Sequence, residues 1–297
     1  MSIQNGYNQG KVDGMEVIRM KRPARVAAIH DISGFGRCSL TVVLPVLGAM
    51  GAQCCPMPTA FLSAQTAFPK SDRAVFLDMT DQLERTGNHW KELGAEFDAI
   101  YSGFLGSETQ IGLIGELIEK FRGENTLVVV DPVMGDWGRP YRTYTPELCQ
   151  RMGELARHAD VITPNLTEAA ILLGEEYDPA PGADRVRGWL ERLSLDGTRS
   201  VVMTGVRPQE GQVGAACFDR DSGEVSFPAA EQVPGEYAGT GDLFASVMLG
   251  ALLRGESLHS AAQLAAGFVQ KCAAFTNAMK GDTREGVMFE GLLKELM

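Results

Sequence analysis

The sequence predicts an α/β fold, a doubly wound, mostly parallel β-sheet with helices on both faces. Three observations carry that expectation. Apolar, β-rich runs alternate with segments of helical spacing from Arg25 onward. One run, Leu127-Val-Val-Val130, is apolar at every position, as a strand buried on both faces of a parallel sheet should be. Polar and glycine-rich residues follow the strands, where open parallel sheets gather their ligands.

Taken in order, residues 1–22 read as a polar, loose N-terminal extension without the apolar stretch of a signal peptide. Arg25–His30 is a first strand, followed by helical spacing from Leu40 to Met50 with Leu40, Val43, Leu44 and Leu47 on one face. Further strands are expected at Gln53–Pro56, Ala99–Ser102, Thr126–Asp131, Ala159–Thr163 and Ser200–Thr204. Helices are expected at Asp81–Leu93, Ser107–Arg122, Thr145–Arg157, Leu166–Leu173 and Ala183–Leu195. Two short strands, Val213–Asp219 and Glu224–Pro228, lie close enough to form a hairpin. Two apolar helices, Gly241–Arg254 and Leu258–Thr276, finish the chain. No Ser/Gly-rich, Pro-rich or low-complexity linker interrupts it, so residues 23–297 are expected to form a single domain.

Composition narrows the function. The 297 residues carry a net charge of −11 and no basic stripe, which argues against a nucleic-acid partner. No apolar run approaches the roughly 18 residues that span a bilayer, so no membrane partner is expected. The six cysteines include no Cys-x-x-Cys pair and read as reduced thiols of a cytoplasmic protein. The four histidines have no zinc-site spacing.

The chemistry-bearing segments follow the strands. Gly239-Thr240-Gly241-Asp242 opens an apolar helix, and glycines before a helix leave its N-terminal amides free to face an anion. Phosphoryl transfer needs such a fixed positive potential, and Asp242 stands beside it as a candidate base. Alone, the segment reads equally as a helix cap. Asn165 and Glu168, after Thr163-Pro164, fit a capping box, yet a carboxylate there could also hold the water shell of Mg²⁺. Asp131-Pro132-Val133-Met134-Gly135-Asp136 supplies two carboxylates after a buried strand, or simply a turn. The Gly-x-x-x-x-Gly-Lys-[Ser/Thr] loop and the protein-kinase signatures are absent, and Gly34-x-Gly36 lacks the third glycine of a dinucleotide fingerprint.

Together and in this order, these segments resemble the ribokinase-like superfamily and, within it, the vitamin B6 (pyridoxal/pyridoxine/pyridoxamine) kinases. The likeness spans roughly Arg25 to Thr276. It rests on Tyr101-Ser-Gly-Phe-Leu-Gly-Ser107, Asp131-Pro-Val-Met-Gly-Asp136, Asp160-Val-Ile-Thr-Pro-Asn165 with Glu168, and Gly239-Thr-Gly-Asp242. It implies an ATP- and Mg²⁺-dependent kinase acting on a hydroxymethyl group, with Asp242 as base and the amides of Gly239, Thr240, Gly241 and Asp242 as anion hole. Asp131 and Glu168 are expected to act on Mg²⁺, and the likeness leaves room for a monovalent cation. Thr163, Asn165 and Thr204 are expected to line the nucleotide phosphates, with Asp136 and Tyr144 near the phosphates and the closing loop. Val233 and Phe268 are expected beside the adenine. The ring is expected near His30, Asp31, Thr59, Thr66 and Phe104. A homodimer is implied by the same likeness. One departure is His30-Asp31, where many B6 kinases have Ser followed by His or Gln. An Asp at the second position is familiar from the hydroxymethylpyrimidine kinases, which stand as the alternative. A vitamin- or nucleotide-binding protein without catalysis is the reading from another class.

Overall fold

The computed structural model describes residues 9–12, 15–18, 22–69, 71–141 and 144–297. Strands β1 (Gln9–Val12) and β2 (Met15–Ile18) pair antiparallel, with Val12 opposite Met15. A loose extension was the expectation for this segment.

The main sheet begins with β3 (Arg25–Ser33), which leads through α1 (Leu40–Ala49) to β4 (Gln53–Leu62) and the short β5 (Phe76–Asp78). Helix α2 (Thr80–Glu92), β6 (Ala99–Ser102), α3 (Thr109–Phe121) and β7 (Leu127–Val130) follow. A two-stranded flap, β8 (Gly135–Asp136) with β9 (Arg139–Pro140), precedes α4 (Pro146–Ala156) and β10 (Val161–Ile162). Then come α5 (Leu166–Leu173), α6 (Ala183–Leu193), β11 (Ser200–Val206) and β12 (Gln212–Phe218). Next are β13 (Val225–Ser226), β14 (Ala229–Glu231), α7 (Thr240–Leu253) and α8 (Leu258–Ala278), and two short 3-10 turns, Thr283–Glu285 and Glu290–Leu296, close the chain.

The sheet has ten strands, ordered β13-β12-β11-β10-β7-β6-β3-β4-β5, with β14 also paired to β12. The six strands from β11 to β4 run parallel, and the antiparallel strands lie at the two edges. This is the predicted architecture. Its elements fall close to the expected bounds. The differences are β3 and β4, which run on past the expected His30 and Pro56 to Ser33 and Leu62, and β5, β8, β9 and β14, strands of two or three residues whose pattern is too short to read.

Alternation along the strands divides the core in two. Ala27 and Ile29 of β3 and Val128 and Val130 of β7 face α2 to α6. Val26, Ala28 and Val129 face α1, α7 and α8. A polar residue on either side of β7 would therefore be buried, which explains its unbroken valines.

Register places the functional end. Ile29, Ser102, Val130, Ile162 and Val201 form one row across β3, β6, β7, β10 and β11. The next residues, His30, Gly103, Asp131 and Thr163, consequently emerge together at the carboxyl edge. The chain places β4 on one side of β3 and β6 on the other, so its topological switch point lies at β3, where such sheets open a ligand crevice.

Candidate active site

A cavity of about 690 Å³ opens over this edge, lined on one side by the ends of β7, β10 and β11 and the start of α7. Gly239 precedes α7 with φ 70°, and a Cβ there would lie 2.0 Å from the Arg37 carbonyl oxygen. Only glycine fits both demands. The turn aims the first amides of α7 at the cavity, which Gly239, Thr240, Gly241 and Asp242 all line.

Asp242 stands in the first turn of α7 and accepts a hydrogen bond from the Ser39 backbone N–H, 2.8 Å from Oδ2. Burial pushes its pKa up to about 7, the Ser39 amide pulls it down and the nearby Asp31 carboxylate raises it. A carboxylate with this proton affinity is half-ionised at neutral pH, as a general base should be. Asp31 is itself buried, accepts from Ser33 Oγ at 2.9 Å, and has its pKa raised by burial.

Asp131 and Glu168 are buried carboxyls, and both are shifted well above the usual carboxylate range. For Asp131 the causes are burial and the charge of Asp242, and for Glu168 burial and the charge of Asp131. The capping box of α5 is formed: Asn165 Oδ1 accepts from the amides of Thr167 and Glu168, and Glu168 Oε2 accepts from the Asn165 amide at 2.8 Å. Glu168 Oε1 accepts from the Met134 amide at 3.0 Å. Both Glu168 oxygens are thus engaged by backbone. Among the described residues no cluster of three His, Cys, Asp or Glu could hold a metal ion. The donor set fits a cation that keeps its waters and shares them with phosphate oxygens, as Mg²⁺ does, rather than a caged ion. Thr163 Oγ1, buried beside the Asp131 carboxyl whose proton affinity it lowers, is a further donor to such a cluster.

Of the other residues named from sequence, Asp31, Thr66, Phe104, Asp136, Thr204 and Val233 all line the cavity. His30, Thr59, Tyr144 and Phe268 do not line the cavity. His30 shares the alternation of Val26 and Ala28, so its ring turns inward, 4.2 Å from that of Tyr101, edge to face. A Cβ on Gly103 would lie 2.3 Å from His30 Nδ1, and burial lowers the pKa of His30 to about 3. Thr59 is fully buried and donates to the Phe104 carbonyl at 2.8 Å. Tyr144 is buried edge-on to Phe104, and its hydroxyl accepts from the Leu105 amide at 3.1 Å. Phe268 continues the inner stripe of Ala261 and Ala265, while its neighbour Val269 faces the cavity. Sequence reasoning missed the aromatic residues Trp137, Tyr141 and Tyr177 and the cations Arg207 and Arg284, all of which line it. Arg207 follows Gly205 after a predicted strand, a usable signal; Arg284, from beyond α8, had none.

Buried carboxylates gathered with a glycine-led helix start at the switch point of a parallel sheet belong with the small-molecule kinases of the ribokinase-like fold. A model of the phosphomethylpyrimidine kinase family matches residues 90–287, and the chain belongs to that family. A protein of Bacteroides thetaiotaomicron described as a phosphomethylpyrimidine kinase, crystallised with pyridoxal, is 39% identical with a TM-score of 0.88. The match covers 92% of this chain and 96% of that one. The pyridoxal kinase of Lactobacillus plantarum is 32% identical with a TM-score of 0.83, over 92% and 96% of the two chains. The pyridoxine/pyridoxal/pyridoxamine kinase of Bordetella avium is 30% identical over 266 residues, covering 84% of this chain and 85% of its own.

Proposed function

We propose that the chain phosphorylates the 5'-hydroxymethyl group of a B6 vitamer with ATP. The observation that carries the reading is Asp242 at the amide-rich start of α7, in one cavity with Asp31 and Phe104 on one side and Asp131 and Thr163 on the other. The vitamer lies on the Asp31–Phe104 side with its hydroxyl toward Asp242, and Asn165, Thr163 and Thr204 line the phosphates. The alcohol oxygen attacks the γ-phosphorus, the bond to ADP breaks, and the alcohol proton passes late to Asp242. The amides of Gly239 to Asp242 hold the equatorial oxygens. Asp131 and Glu168 are the residues that would hold Mg²⁺, which would supply neutralisation of phosphate charge. A monovalent cation beside the phosphates would add to the same neutralisation.

These residues belong to one domain, 23–297, which we take to act as a cytoplasmic homodimer. No helix among the described residues is long and apolar enough to cross a membrane. Sedimentation at micromolar concentration tests the dimer, and a monomer there would refute it.

The family description and Asp31 favour a second reading, hydroxymethylpyrimidine phosphorylation. Pyridoxal, pyridoxine, pyridoxamine and hydroxymethylpyrimidine assayed with ATP decide between the two. The B6 reading expects the highest kcat/KM for a vitamer. A preference for the pyrimidine overturns it, and vitamer binding without turnover points to a non-catalytic binding protein.

A further inference from the structure

The segment joining β3 to α1 contains a backbone conformation that calls for an explanation. Ser39 has φ 50° and ψ −135°. That combination is the first central position of a type II′ turn, a place normally taken by glycine because a Cβ crowds the backbone there. A residue held in such a region persists only where its surroundings over-determine it.

The surroundings do so here. Upstream, the Arg37 amide donates to the Glu285 carbonyl at 2.7 Å, and Arg37 Nε is 2.6 Å from Glu290 Oε1. The Arg37 carbonyl fits between two glycines: a Cβ on Gly239 would lie 2.0 Å from its oxygen, and one on Gly286 2.6 Å from it. Thr41 Oγ1 accepts from the Cys38 amide at 3.2 Å and donates back to the Cys38 carbonyl at 2.7 Å. Downstream, the Ser39 carbonyl accepts from Val42 and Val43, both at 2.9 Å, and starts α1. The segment is therefore pinned on both sides of the strained residue.

What the strain achieves is a direction. The Ser39 N–H points at Asp242 Oδ2 and, among the described residues, is the one hydrogen-bond donor to that carboxyl. The titratable groups facing Asp242 from other elements are Asp31, Cys38, Tyr101, Asp131 and Tyr141, none of which carries positive charge. Among the described residues, no other hydrogen bond fixes which oxygen of Asp242 turns to the cavity.

We propose that Ser39 is a positioning residue for the catalytic base, its strained backbone aiming one N–H at Asp242 Oδ2 so that the other oxygen is presented to the substrate hydroxyl. The inference rests on the reading of Asp242 as base. The Arg37 carbonyl couples the same segment to Gly239, so base and anion hole are set by a single loop.

Two substitutions at residue 39 test this. Glycine adopts the conformation without strain and retains the N–H, whereas a β-branched residue cannot stay there, so its amide must turn away. Ser39→Val is expected to lower kcat about 10- to 100-fold, the worth of one hydrogen bond to a charged group, with KM for ATP within about twofold. Ser39→Gly is expected to retain kcat within about threefold, the loss of its hydroxyl from Asp31 being read instead in KM for the vitamer. Should Ser39→Val not fold, replacing residue 39 by its α-hydroxy acid removes the N–H while keeping the side chain and reads the same loss, with the same ester at residue 41 as the control for a weakened carbonyl. A folded Ser39→Val or ester variant with unaltered kcat overturns the inference, as does a Ser39→Gly enzyme as impaired as Ser39→Val. Asp242→Asn separates the two levels: if it turns over normally, the base assignment itself has failed, and if only the residue-39 variants are silent, Ser39 alone is exonerated.

Discussion

The two halves of the cavity are built differently. In the half we assign to the phosphates, the groups that face the cavity are largely backbone: the first amides of α7, the turn at Gly239, and a capping box whose side chains are spent on amides. On the ring side, contact depends on which way side chains point after β3, β4 and β6. There His30 and Thr59 turn into the core while Asp31 and Phe104 turn out. A backbone anion site is specified by glycine positions and helix starts. A ring pocket is specified by alternation and local irregularity, such as the register shift between His30 and Ile32.

This contrast predicts graded effects. The largest belongs to Gly239→Ala, whose Cβ collides with the Arg37 carbonyl at a φ of 70°. Steady-state assay should show kcat reduced by about 10²- to 10³-fold, the loss of an oxyanion-type donor. A near-normal rate would mean the amides do not hold the phosphoryl group.

The pH dependence comes next. With Asp242 shifted up to about 7, kcat/KM should fall about tenfold per pH unit below that value as the base is protonated. An acidic limb near pH 4 would show an unperturbed carboxyl. The same shift has a stability consequence. Its folded pKa lies above the unfolded one, so the folded protein holds the proton more tightly, and this group's contribution declines as pH rises from about 4 to 7. Asp242→Asn should therefore melt higher than the parent at pH 8, with the advantage gone at pH 4. Equal melting temperatures at both would contradict the assigned burial cost.

Smaller effects are expected where the two halves meet the core. Thr163→Val removes a buried hydroxyl that bears on the Asp131 carboxyl, so it should lower the melting temperature by no more than a few degrees. It should raise KM for ATP about tenfold, which a nucleotide titration reads. On the ring side, His30→Leu should change KM for a vitamer by less than about threefold, since neither ring nitrogen has a protein partner and the ring does not line the cavity. A large KM effect at His30 would return that side chain to the substrate.

Much of this was legible in the sequence. The valines of β7, the helix starts at Asn165 and Thr240, and the glycines around Asp242 each encode local geometry, and the parallel topology then gathers them at one edge. Less legible were side chains whose orientation depends on register. Phe268 and Val269 differ by about 100° around α8, and one lies in the core while the other faces the cavity. The Ser39–Asp242 hydrogen bond joins residues 203 positions apart and follows from a conformation that serine rarely adopts, so no local pattern announces it.

The central claim is that Asp242 is the base of a kinase whose nucleotide site is otherwise complete without it. Asp242→Asn, measured for both ATP binding and vitamer phosphorylation, tests that claim most directly. The expected result is unchanged ATP affinity with turnover reduced at least ~100-fold. Turnover close to that of the parent chain would contradict it.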